Sequence, residues 1–128
     1  MPYIPRIAPP YIGWTEVRPL PASSKVWTAS WITNPAKDMA FALLAYQYTK
    51  KPQQFTLDGE NYGFVTVFYR DGKAIVCDAT DTPIAEEPLS DTDIDVMLAQ
   101  IAHDVGQHWD DWLLWDREPK ELPDEIIA

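Results

Sequence analysis

The sequence predicts an α+β fold. A small antiparallel sheet of about four strands packs with two helices in the order β-α-β-β-β-α, behind an extended proline-rich N-terminal arm. Three observations carry this prediction. Apolar residues recur at helical spacing between Leu89 and Trp115, β-prone runs broken by Asp-Gly pairs fill residues 54–80, and six prolines interrupt the first 24 residues. At 128 residues the chain suits one domain, with an arm at 1–24, a core at 25–115 and an acidic tail at 116–128.

The arm comes first. Each proline fixes φ and removes a backbone donor, so helix is excluded and extended geometry is favoured. Tyr3, Ile4, Ile7, Tyr11, Ile12 and Trp14 are interleaved with the prolines. A disordered linker does not carry so much apolar surface, so the arm is expected to lie against its own domain or a neighbouring chain.

Lys25 to Thr33 is β-prone and predicts the first strand. Asn34 then offers an N-cap and Pro35 a first helical residue, opening a helix over Ala36 to Lys50. Its stripe is Met39, Leu43 and Tyr46, with Ala40 and Leu44 alongside. Lys50 and Lys51 suit the negative end of the helix dipole, and Pro52 stops the helix.

Three short strands follow: Gln54–Leu57, Tyr62–Arg70 and Lys73–Thr80. Asp58-Gly59 and Asp71-Gly72 separate them, and Asp-Gly between apolar runs favours a type I′ hairpin turn. The second turn sets Phe68 opposite Ile75 and Val67 opposite Val76. Both faces of this hairpin are apolar, which places it mid-sheet. Residues 81–89 read as an acidic, proline-containing loop.

The last helix is expected from Ser90 to Trp115. Ile94, Met97, Leu98, Ile101, Val105, Trp109 and Trp112 share a face about 120° wide, suited to packing on a core. Ser90 is a natural N-cap, and Asp91 and Asp93 sit where the dipole favours negative charge.

Composition narrows the function classes. Cys77 is the only cysteine, so no internal disulfide forms. The proline-broken N-terminus lacks the apolar stretch of a secretion signal, and Met39 to Tyr46, the longest apolar run, is far short of a bilayer span. A cytoplasmic protein without membrane contact is expected. The net charge of −10 is uneven: residues 1–77 hold eight Lys/Arg against five Asp/Glu, while residues 78–128 hold two against fifteen. Direct nucleic-acid binding is disfavoured, because so acidic a half repels phosphate.

His103 and His108 lie about 140° apart on a helix and cannot share one metal from a single face. Asp104, His108 and Asp111 share a helix edge that suits imidazole orientation or part of a metal site. The plainer reading is a core-edge histidine satisfied by Asp104. Asp91, Asp93 and Asp95 resemble the opening of a calcium loop, but Val96 and Ala102 stand where that loop needs Gly and Glu, so helix capping explains them. Cys77, within an apolar run, reads as a buried strand residue. No phosphate loop, nucleophile elbow or paired Cys-x-x-Cys motif supports an enzyme, and no cofactor is implied.

The leading expectation is a non-enzymatic acidic interaction protein that binds and blocks or escorts a positively charged protein. Inhibitors, immunity proteins, antitoxins and anti-defence proteins of phages are of this kind, and the partner class includes nucleic-acid-binding proteins whose ligand such a molecule imitates. The expected acidic face comprises Asp104, Asp110, Asp111, Asp116, Glu118, Glu121, Asp124 and Glu125, with Trp14, Leu114 and Trp115 as apolar anchors. Imitation of duplex charge needs more than the helix. Its six carboxylates over about 39 Å give one per ~6.5 Å, against one charge per ~1.7 Å of DNA. Two alternatives are a virion or assembly accessory subunit, oligomerising through the arm, and a small metal-dependent or acid–base enzyme using Asp104, His108 and Asp111.

Overall fold

Turn chemistry and apolar periodicity account for most of the architecture seen in a computed structural model, which describes residues 14–23, 25–30, 33–60 and 63–109. In chain order the elements are β1 (Trp14–Val17), β2 (Trp27–Ser30), α1 (Pro35–Thr49), β3 (Gln53–Asp58), β4 (Phe64–Arg70), β5 (Lys73–Cys77), β6 (Pro83–Pro88) and α2 (Asp91–Gln107). Strands β3 to β6 form an antiparallel sheet in sequential order, and β1 pairs with β2 in a separate two-stranded sheet. The fold is α+β, as the sequence predicts.

The β4–β5 hairpin turns at Asp71 and Gly72, whose φ values of 52° and 74° are the left-handed pair a type I′ turn requires. Its register places Phe68 opposite Ile75 and Val67 opposite Val76. The two strands are central, and both faces of β5 are buried: Ala74 and Val76 on one side, Ile75 and Cys77 on the other. The Asp58-Gly59 signal opens a longer loop, in which Gly59 N–H donates to Gly63 O at 2.9 Å.

Two strands depart from expectation. β6 occupies residues read as a loop, because Pro83 and Pro88 bracket it and its middle is acidic. Proline is tolerated on an edge strand, where one side of the backbone needs no partner. β1 lies within the proline-rich stretch, where its pairing with β2 inserts Val17 fully into the core. The expected contacts of residues 1–13 lie outside the described residues.

Both helices start as the sequence indicates. Asn34 Oδ1 accepts from Lys37 N–H at 3.1 Å, with Pro35 in the first turn. Termination of α1 precedes Pro52: Lys50 adopts a left-handed conformation (φ 60°) and donates its N–H to Tyr46 O at 2.8 Å. At α2, Ser90 Oγ accepts from Asp93 N–H and Asp93 Oδ2 from Ser90 N–H, a closed capping box. Ile94, Met97 and Ile101 are buried from α2, while Met39, Leu43 and Tyr46 are buried from α1. They meet Phe55, Leu57, Val65, Val67, Tyr69 and Val76 on the sheet, each contributing roughly 1.5–3 kcal/mol by burial.

Helix α2 closes at Gln107, with His108 N–H donating to Val105 O at 3.1 Å. The expected continuation through residues 110–115 lies outside the described residues. Trp109, expected on the core stripe, is instead 55 % exposed. No helix among the described residues is long and apolar enough to cross a membrane.

Candidate functional site

Polar pairing at one end and small side chains at the other shape the interface between α1 and α2. The helices run antiparallel, since the end of α1 meets the start of α2: Gln47 Nε2 donates to Asp95 Oδ1 at 2.8 Å, and Lys50 Nζ lies 2.7 Å from Asp91 Oδ1. At the opposite end the facing positions are Ala36 and Ala40 on α1, and Ala102 and Gly106 on α2. These leave an apolar groove of about 600 Å³, floored by Leu98, Ile101 and Val105 and ending at Trp109. Asn34 and Lys37 also line it. Half of Trp109 faces solvent where an isolated domain gains by covering it.

The acidic residues of the second half are tied locally among the described residues. Asp78 Oδ1 accepts from Thr80 N–H, Thr80 Oγ1 and Thr82 N–H, and these bonds, the hydroxyl first, hold its carboxyl below the usual aspartate range. Glu87 Oε1 accepts from Ala22 N–H at 2.7 Å, and Glu86 lies 3.5 Å from Lys73 Nζ. Only Asp91 and Glu86 face the protein's own cations in these contacts, and both pairs are exposed, so they contribute little. Bonds from N–H and O–H groups fix carboxylate oxygens without cancelling their charge. The negative field survives, divided between the β5–β6 edge and the start of α2.

Asp104, expected on the acidic face, is buried at 5 % exposure and accepts from Gln100 Nε2 at 2.8 Å. Its position on α2, one turn before His108 and three residues after Ile101, turns it inward. Asp110, Asp111, Asp116, Glu118, Glu121, Asp124, Glu125, Leu114 and Trp115 lie outside the described residues. Trp14 is half-buried in β1, opposite Ser30. His103 is exposed and His108 half-buried. Among the described residues no group of three His, Cys, Asp or Glu side chains is placed to hold a metal ion. Cys77 is buried, and desolvation raises its thiol pKa, partly offset by Arg70 and reinforced by Asp81 and Asp78.

No family model, no curated protein and no solved structure matches this chain. The groove must therefore be read from its own chemistry. Reading α2 as a core stripe alone overlooked it. Its signal in the sequence is a pair of small residues four apart on each helix, Ala36 with Ala40 and Ala102 with Gly106, which meet only once the helices are known to be antiparallel.

Proposed function

We propose that the protein is a non-enzymatic interaction module whose α1–α2 groove docks a basic, amphipathic segment of a protein partner. The observation that carries this reading is an apolar groove whose last lining residue, Trp109, immediately precedes the most acidic stretch of the sequence. Asp110 and Asp111 are the next two residues in the chain. Residues 110–128 hold seven acidic and two basic side chains, so a cationic partner gains attraction beside the apolar contact. A segment with Leu or Phe on one face and Lys or Arg on the other matches both. The apolar face supplies affinity in the groove, and the charges supply steering and selection. Blocking or escorting a basic protein follows from occupying such a segment.

The test is calorimetric titration with a synthetic helical peptide bearing Leu on one face and Lys on the other. A control peptide carries Gln in place of Lys. Screening shortens the reach of exposed charges from about 10 Å at 0.1 M salt to 3 Å at 1 M. The lysine peptide should bind at low salt, weaken at least tenfold by about 0.5 M, and lose binding when Trp109 is changed to Ala. Equal binding of the two peptides, or binding indifferent to Trp109, contradicts the proposal.

A further inference from the structure

The outer surface of α1 carries the two most exposed large apolar side chains among the described residues, Tyr48 at 91 % and Phe41 at 63 %, with Leu44 at 50 % between them. All three fall within about 60° of the helix circumference. Leu44 and Tyr48 lie away from α2, which meets Ala36, Ala40 and Gln47, and from the sheet face that meets Met39, Leu43 and Tyr46, while Phe41 borders a shallow cleft between α1 and β3.

We infer that the stripe is a homodimer interface on which α1 of a second copy lies antiparallel. Its pattern complements itself, as a two-fold interface requires. With the axis between Leu44 and Ala45, Phe41 and Tyr48 each stand 3.5 residues from the midpoint. Phe41 therefore meets Tyr48 of the second copy, and Tyr48 meets its Phe41, while Leu44 packs against the small Ala45. At about 150–250 Å² per aromatic side chain, the three residues offer roughly 400 Å² per copy. Edge contacts from Lys37, Asp38 and Lys51 bring each copy to about 600 Å², at the lower limit for a specific interface.

Charge also selects the occupant. Residues 33–52 hold three lysines and one aspartate within a chain of net charge −10. Two copies therefore meet where each is least acidic. The sign of the salt effect follows: salt screens the repulsion between two chains of −10, so this contact tightens as salt rises, opposite to docking of the lysine peptide in the α1–α2 groove.

Sedimentation equilibrium up to about 0.5 mM protein tests the interface. A dimer with a dissociation constant of tens of micromolar is expected at 0.5 M salt, weaker at 0.05 M. Tyr48→Glu, at a site exposed enough to leave the fold intact, should weaken it at least about 30-fold while leaving binding of the lysine peptide unchanged. Mixing Phe41→Cys with Tyr48→Cys protein should yield the mixed disulfide. Neither variant alone should cross-link, because like positions stand about 10 Å apart along the axis. A monomer at both salts overturns the inference, including one whose stripe binds a different, acidic protein. So does a dimer indifferent to Tyr48→Glu, or cross-linking by either variant alone.

Discussion

Gly106 offers a perturbation whose sign and size follow from the backbone. It lies in α2, outside the left-handed region, and a Cβ built there meets no atom within 4 Å. Alanine therefore removes unfolded-state freedom without a clash. In a helix interior the gain is about 0.8–1.0 kcal/mol. One residue from the last helical position, Gln107, roughly half survives fraying, or about 0.5 kcal/mol. With an unfolding entropy near 2.1 cal/mol/K per residue over the chain, that raises Tm by about 2 °C. Thermal melts followed by far-UV circular dichroism give the comparison. A fall in Tm refutes the reasoning, since it means that space beside Gly106 is occupied or that α2 does not run through it. Gly106→Leu extends the test: it should keep the fold but intrude on the groove, weakening the lysine peptide at least tenfold.

Three further outcomes are expected. Ser90→Ala opens the capping box and should cost about 1 kcal/mol in urea unfolding, with m unchanged. The Asp78 carboxyl, depressed by its bonds to Thr80 and Thr82, should titrate below the ordinary aspartate range in carbon-detected NMR. A depressed carboxylate stabilises above its unfolded pKa and loses that contribution as pH falls through the folded value, so order in the 78–82 loop should persist at neutral pH and fade only in acid. Cys77 should resist alkylation in the native protein and react at once in denaturant, because burial disfavours its thiolate.

Much of the fold was legible because local chemistry and tertiary packing agree there. The Asp71-Gly72 turn and its apolar flanks demanded one register, and Ser90 with Asp93 marked the start of α2 directly. Where they disagree, the sequence misleads. β6 has a composition that propensity assigns to a loop, and only the free edge of β5 draws it into the sheet. Asp104 and Trp109 exchanged roles for a related reason. Hydropathy puts the carboxylate outside and the indole inside, but Asp104 is buried and accepts from Gln100 one turn earlier on the same helix, while Trp109 is left at the open end of the groove. The groove was the hardest feature to foresee, since no single element encodes it: small residues on one helix matter only through those facing them on the other.

The location of peptide binding tests the central claim most directly. Backbone amide shifts of ¹⁵N-labelled protein, recorded while the lysine peptide is added at low salt, report where it settles. The account predicts changes concentrated at Ala36, Ala40, Ala102, Val105 and Gly106. Changes gathered instead along Glu86, Glu87, Asp91 and Asp95, with the groove residues silent, would show that charge alone attracts the peptide and would contradict it.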